Sequence, residues 1–276
     1  MNTITTLTWL TFHEARRRRM VLAGLGMGIV LILLYSIGLV LINNELNDEG
    51  APLVIRQQAY NFLLMAGLYV VHFLTIMLAI FASVDTVSGE IASHTIQALV
   101  TKPVQRWQVL LGKWLGYALM LVLYLMLLAG GIMLAMYLLV GYWPDNALQG
   151  LLLLALEALV LLSLSMLGGT RFATLTNGVL LFMLYGLAFI GGWVEQVGAL
   201  LRSESAINIG IIASLLLPVE ALWRLASSLM QPATSSALPT PFSTASVPSG
   251  AMVVYAIGYA AVALCLAMYT FSKRDL

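Results

Sequence analysis

Residues 110–140 read LLGKWLGYALMLVLYLMLLAGGIMLAMYLLV, an apolar run in which Lys113 is the one charged residue. A helix that crosses a membrane needs about 20 mostly apolar residues, because the hydrocarbon layer is about 30 Å thick and each helical residue rises about 1.5 Å. The run exceeds that length. It therefore predicts a membrane-spanning helix and places the chain among integral membrane proteins.

Similar apolar runs lie on both sides of this one. The predicted spans are residues 20–42, 61–83, 110–140, 148–167, 176–194 and 250–271. The fifth is short but has no charge before Glu195. The first is longer than the apolar core of a cleaved signal peptide, which is about 7–15 residues, so we expect it to remain as a signal anchor. The sequence predicts an all-α membrane protein with six transmembrane helices in one transmembrane domain, residues 1–276.

The composition agrees with a membrane protein and excludes several other classes. The 276 residues are 61% hydrophobic and 9% charged, against about 25% charged in a soluble domain. The formal net charge of +1 argues against a nucleic-acid partner, which would need a basic surface. The single cysteine, Cys265, excludes an intramolecular disulfide and a multi-cysteine metal site. Because it lies in an apolar run, we expect it to pack in the core.

The distribution of basic residues predicts the orientation of the spans. Lysine and arginine accumulate in short cytoplasmic loops. With the N-terminus inside, ten of the 13 basic residues face the cytoplasm, and only Arg56, Arg202 and Arg224 lie outside. We therefore expect a multi-pass protein of the cell's inner (plasma) membrane with both termini in the cytoplasm.

Two further segments are predicted to be helical without spanning. Residues 2–19 combine scattered apolar residues with four consecutive arginines, which favours a helix at the inner interface or a simple topology signal. In the external region, residues 195–249, the apolar stretch 207–217 is too short to span. We expect residues 206–230 to form one or two helices that dip into or lie on the outer leaflet, with Trp223 as an interfacial anchor.

A separate amphipathic helix is predicted between spans 2 and 3, at residues 86–101. Glu90, Ser93, His94 and Gln97 fall at i, i+3, i+4 and i+7 and so form one polar stripe on a helix. Pro103 ends this helix, because the residue before a proline is pushed out of the helical region. From periodicity alone, it could be a plain interfacial helix or an element that receives force from a cytosolic partner.

The segment SGEIASHTIQALVTKPVQRWQVLLGKWLG, residues 88–116, resembles the corresponding region of ABC-2 type (type V) permeases of ATP-binding cassette transporters. The family pattern is an acidic residue, Gly-Thr, a leucine-rich turn, proline, a basic residue and Gly-Lys. The matching positions here are Glu90, Thr95, Leu99, Pro103, Arg106, Gly112 and Lys113. His94 departs from the pattern, since the family usually carries glycine there, and this could alter how the helix docks. The overall order of helices is also similar to that family, including permease components linked to multicopper enzyme maturation.

This resemblance implies a permease of an exporter that uses ATP hydrolysed, with Mg²⁺, in a separate ATP-binding cassette subunit. It implies that 86–101 is a coupling helix and that its contacts to the ATPase include Glu90, Ser93, His94, Gln97 and Arg106. It also implies a second permease copy, identical or homologous. Substrates in the family range from drugs and peptides to lipids, polysaccharides and maturation factors. The pair Gly112-Lys113 lacks the other residues of a phosphate-binding loop, so we expect no cofactor in this chain.

Two ionisable residues lie within predicted spans. An ionised carboxylate at the centre of a span costs about 2.5–3.5 kcal/mol, so Glu157 is expected either to face a substrate path or to be a protonated or hydrogen-bonded structural residue. His72 is a weaker candidate for the same path, because a neighbouring carbonyl could satisfy it. The 14 methionines are scattered and do not indicate a copper site or any other metal site.

Three other classes of function are alternatives to a permease. An ion-driven secondary transporter would usually show repeated halves and more buried ionisable groups. An intramembrane enzyme would need a motif that the chain lacks: His13-Glu14 is not followed by the second histidine of a zinc site, and no catalytic residue is predicted. A passive scaffold has no need of a dedicated inner helix.

Overall fold

A computed structural model describes residues 3–92, 105–232 and 246–273. Throughout those ranges the regular structure is helical, without a strand. The helices are α1 Thr3–Arg17, α2 Arg19–Asp48, α3 Leu53–Ala92, α4 Arg106–Val140, α5 Ala147–Gly169, α6 Thr174–Leu201, α7 Glu204–Leu216, α8 Val219–Met230 and α9 Ala251–Lys273.

Six of the described helices, α2, α3, α4, α5, α6 and α9, are long and apolar enough to cross a membrane. They follow the predicted spans in order, so the all-α fold class and the six spans are confirmed. Several extend beyond the apolar runs. α2 continues to Asp48 and α3 begins at Leu53, and Gly50 allows the tight turn between them by adopting a φ of 64°.

The second span does not end where a separate inner helix was predicted to begin. α3 runs from Leu53 through Ala92 without a break, so residues 86–92 are its last turns. The physical reason is that the chain has no proline between Pro52 and Pro103 to stop the helix. The remainder of the predicted coupling helix, residues 93–101, lies outside the described residues.

α1 packs against the beginning of α4 through two glycines. A Cβ atom at Gly112 would lie 2.6 Å from Cβ of Leu7. One at Gly116 would lie 2.8 Å from Cβ of Thr11 and 3.0 Å from the carbonyl oxygen of Thr8. The two glycines are four residues apart and share one face of α4. They let the backbones approach as closely as small residues do in other membrane helix pairs.

The outward side of α1 has the composition expected of a helix at the membrane interface. Trp9 and Leu10 are exposed, and Arg16 and Arg17 occupy the last turn. Such a helix places apolar side chains among acyl chains and basic ones at headgroups.

The glycines of the first span are packed inside the subunit. Gly24 lies against Leu78 and Tyr124, and its carbonyl oxygen accepts a hydrogen bond of 3.1 Å from the Tyr124 hydroxyl. Gly28 is buried against Leu128 of α4. The Gly24–Gly28 pair therefore packs α2 against α3 and α4 of the same chain.

The predicted outer helices are two, and they dip into the bundle. α7 runs back along the outer half of α6, with Ala206 against Gly198 and Ala213 against Gly191. The chain then bends by 106° between α7 and α8. α7 and α8 together form a re-entrant pair, and the side of α8 that carries Leu222 and Ala226 is fully buried.

Two tyrosines of α9 hold the bend of the re-entrant pair. The hydroxyl groups of Tyr255 and Tyr259 donate hydrogen bonds of 2.5 and 2.9 Å to the carbonyl oxygens of Leu215 and Leu216. These carbonyls end α7 and have no later helical turn to bond to. The tyrosines therefore satisfy polar groups that would otherwise face an apolar environment.

Cys265 does not pack in the core as predicted. It lies on the exposed side of α9, because this helix contacts the bundle through a stripe of small residues and one phenylalanine. The buried residues of the stripe are Ala256, Ala260, Ala263, Ala267 and Phe271.

The docking of α1 can be tested with Gly116→Ala. The new methyl group meets Thr11 and the Thr8 backbone at distances below normal contact, so we expect the free energy of unfolding to fall by about 1–3 kcal/mol. Denaturant unfolding of the purified protein in detergent measures this. Gly130→Ala is the matched control on the same helix, since its Cβ would meet nothing within 4 Å and alanine favours a helix. Equal stability of the two variants would contradict the proposed packing.

Candidate functional site: a buried polar layer

A histidine and a glutamate meet in the middle of the bundle. Nδ1 of His72 on α3 lies 2.9 Å from Oε2 of Glu157 on α5, and the two side chains are each 1% exposed. The proton in this hydrogen bond is carried either by the imidazole or by the carboxyl group, because a ring nitrogen can donate or accept. The structure thus gives Glu157 a hydrogen-bond partner, and the partner is the other ionisable residue singled out in the spans.

A second carboxyl group approaches from the re-entrant pair. Glu220, in the first turn of α8, is buried, and its side chain packs on Gly192 of α6, where any Cβ atom would collide with it. It interacts electrostatically with both His72 and Glu157. We call His72, Glu157 and Glu220 the polar layer.

Aromatic rings close the polar layer. The ring of Trp223 lies 4.8 Å from His72 and 5.3 Å from Tyr69, measured between centroids. Trp223 is 4% exposed and is not the interfacial anchor that the sequence predicted. Because α8 turns inward from the membrane surface, the indole packs on the core instead of on the headgroups.

Each member of the polar layer keeps one polar atom that has no hydrogen-bond partner among the described residues. These atoms are Nε2 of His72, Oε1 of Glu157 and Oε2 of Glu220. A buried polar atom without a partner costs about 1–3 kcal/mol. Three such atoms from three helices indicate a site whose bonding capacity the protein itself does not fill.

An ion pair lies beside the polar layer. Arg224 of α8 contacts both carboxylate oxygens of Glu195, Nη1 to Oε1 at 2.7 Å and Nη2 to Oε2 at 2.8 Å. Nη2 also donates to Oγ of Ser214 at 3.2 Å, and Ser246 donates from its hydroxyl to Oε1 of Glu195 at 2.7 Å. We call these four residues the Arg224 network. It ties α6, α7, α8 and the segment before α9 together.

Sequence reasoning placed Arg224 and Glu195 in the external region and missed their pairing. The sequence does contain a signal for this pairing. The stretch 207–217 was too short to span, so it had to fold back, and folding back brings a charge after it near a charge before it. Residues 195–201, assigned to the external region, are instead the last turns of α6. Glu195 is therefore held on a rigid helix.

The buried groups of this region contain more acid than base. Glu157, Glu195 and Glu220 are carboxyl groups, whereas Arg224 is the one guanidinium group facing them. The imidazole of His72 can add at most one further positive charge. In the described ranges no three His, Cys, Asp or Glu side chains are arranged to hold a metal ion. The excess acid therefore has to be neutralised in another way.

A second set of contacts joins the helix ends at the side of the N-terminus. Arg18, between α1 and α2, lies 3.7 Å from Asp85 of α3 and 3.0 Å from Glu14. The Thr174 hydroxyl at the start of α6 donates to Asp85 at 3.2 Å. These are partly exposed contacts, each worth at most about 1 kcal/mol. They link the segment that leads out of α3 to three other helices.

Two of the predicted ATPase contacts belong to described helices that meet this end of the bundle. Glu90 is in the last turns of α3, and Arg106 is the first residue of α4. Ser93, His94 and Gln97 lie outside the described residues. The structure thus brings the two predicted path residues, His72 and Glu157, into contact and leaves the arrangement of the other set as a prediction.

A family model described as ABC-2 family transporter protein matches residues 8–276. No curated protein matches the chain.

The Arg224 network can be tested with Arg224→Met. Removing one partner leaves the Glu195 carboxylate buried and unpaired, so we expect a loss of about 3–5 kcal/mol in the free energy of unfolding. The double variant E195M/R224M should recover most of this loss. Arg202→Met, at an exposed position on the same side of the bundle, is the matched control and should change stability by no more than about 0.5 kcal/mol. A double variant as unstable as the single one would show that the pair is not the stabilising contact.

Proposed function

Because this chain belongs to the ABC-2 family of transporter proteins, we propose that it is the permease subunit of an exporter powered by ATP hydrolysis in a separate subunit. The observation that carries the proposal is the family match over residues 8–276, which includes all six candidate spans. The sequence contains no phosphate-binding loop of its own, so the proposal assigns ATP and Mg²⁺ to the partner chain.

The contacts at the end of α3 support a route for force. In this proposal the ATPase subunit contacts Glu90, Ser93, His94, Gln97 and Arg106 in the cytoplasm. Movement there reaches α3 directly, since α3 is continuous from Leu53 to Ala92. Through Asp85, it also reaches the start of α6 and the junction of α1 and α2.

We further propose how the chain is oriented, in which membrane it lies and how it assembles. The excess of lysine and arginine at the end that carries α1 supports cytoplasmic termini and insertion in the cell's inner membrane. Large apolar side chains cover the outer sides of α2 and α9, and lipid or a second permease copy would cover them in the assembled transporter. The substrate would then cross from the inner to the outer side by alternating access near His72 and Glu157.

The buried polar layer also favours a second candidate, an ion-driven secondary transporter. Ionisable residues at the membrane centre mark ion and proton pathways in such proteins. The two candidates differ in their source of energy and therefore in their partner.

Purification of the tagged chain from its native membranes in a mild detergent distinguishes them. We expect an ATP-binding cassette protein to co-purify, with ATPase activity in the complex. The stoichiometry then shows whether two copies of this chain are present. An intact chain that repeatedly purifies without such a protein, and without ATPase activity, would contradict the proposal and favour the ion-driven transporter.

The assigned coupling segment can be tested by reversing one charge, Glu90→Lys. Juxtaposed like charges at an interface cost several kcal/mol, so we expect about a tenfold or greater loss of co-purified ATPase subunit while the permease still inserts normally. Glu204→Lys, at an exposed position at the start of α7, should leave recovery unchanged. Normal recovery and ATPase activity with Glu90→Lys would remove this residue from the interface.

A further inference from the structure

The polar layer has features that packing alone does not explain. It presents three polar atoms without hydrogen-bond partners among the described residues, one each from α3, α5 and α8. Its members are at most 5% exposed. Two of the three are carboxyl groups, and an isolated ionised carboxylate in an apolar environment is strongly unfavourable. The layer therefore calls for a positively charged ligand.

The surrounding groups do not supply that charge. The titratable and charged side chains that face the layer are Tyr69 of α3, Tyr185 and Glu195 of α6, and Arg224 of α8. The guanidinium of Arg224 is already held by both oxygens of Glu195. The tyrosines are neutral, and the His72 imidazole is engaged with Glu157. Among the described residues the carboxyl group of Glu220 forms no close ion pair, although His72 and Arg224 interact with it electrostatically.

The space around these groups decides the size of the ligand. Trp223 and Tyr69 close one side of the layer, and Gly192 admits the Glu220 side chain only because it has no Cβ atom. A metal ion would need several converging ligands, which the described residues do not provide here. A proton needs no additional volume.

We propose that the polar layer is a proton-binding site shared by α3, α5 and α8. One proton is transferred from hydronium to a carboxylate oxygen of Glu157 or Glu220, so that one O–H bond of hydronium breaks, one O–H bond of the carboxyl group forms and water is left. The resulting acid hydroxyl is a donor, which the two carboxylates cannot be. When the proton is released to water, two negative charges face each other and repel. Since Glu220 is on α8, proton occupancy then controls how firmly α8 is held in the bundle.

The proton can be observed directly by infrared difference spectroscopy of the purified permease in lipid nanodiscs. The C=O stretch of a carboxylic acid is separate from that of a carboxylate. We expect an acid band that disappears as the pH is raised. Glu157→Gln or Glu220→Gln should remove or shift this band. Glu204→Gln, an exposed carboxyl group at the start of α7, should not.

Either of two results overturns the proposal: a wild-type protein without such a titrating band, or a band that survives in both layer variants. If the variants unfold, tryptophan emission gives an independent readout. The emission of the wild type minus that of Trp223→Phe reports on the indole 4.8 Å from His72. It should change over the same pH range as the acid band, and a constant difference would count against the site.

Hydrogen–deuterium exchange tests the link to α8. After correction for the intrinsic pH dependence of exchange, we expect the amides of α8 to lose protection when the proton leaves, while those of α4 do not. In Glu220→Gln the protection of α8 should no longer depend on pH. Unchanged α8 protection across the titration would overturn the coupling. All these measurements use the permease alone, so they stand whether or not an ATPase subunit is recovered.

Discussion

No water is available inside the hydrocarbon layer, so a polar group that enters it has to find its partner within the protein. This constraint governs the re-entrant helix α8. It carries Glu220 and Arg224 into the bundle, and it can stay there because α6 offers Glu195 and α7 offers Ser214. The same constraint explains why two tyrosines of α9 bond to the last carbonyls of α7. The outer half of the protein thus supplies partners for one buried guanidinium group and for the last carbonyl groups of α7.

The two ends of the molecule are held in different ways. The outer half contains a buried ion pair, which is costly to break because removing either partner leaves an uncompensated buried charge. The end near the N-terminus relies on close backbone packing at Gly112 and Gly116 and on weak, partly exposed contacts around Asp85. An end that transmits movement is expected to have contacts that rearrange at little cost in free energy. The weaker set lies at the end of the bundle where α3 ends and α4 begins.

Much of this fold could be predicted from sequence because a membrane span is a property of length and hydrophobicity alone. The six spans and the dipping outer helices follow from those two quantities. The features that sequence did not predict correctly depend on tertiary contacts. Trp223 was assigned to the interface because tryptophan prefers it, but its neighbours Tyr69 and His72 come from a helix about 150 residues earlier. The change of hydrophobic pattern near residue 86 predicts that the second span ends there and a new helix begins. No proline interrupts the chain at this point, so α3 continues to Ala92. The pairing of His72 with Glu157 needed the packing of α3 on α5, which no local pattern contains.

The docking of α1 on α4 has a consequence for biogenesis. Leu7 and Thr11 leave the ribosome about 100 residues before Gly112 and Gly116, the surface that receives them. During synthesis at about 5–20 residues per second, α1 therefore exists for several seconds before its docking surface on α4 has been made. Its exposed apolar side, with Trp9 and Leu10, allows it to bind the membrane surface during this time. Helix α1 is thus made before the surface that receives it, and it reaches its final position only after the third span has been inserted.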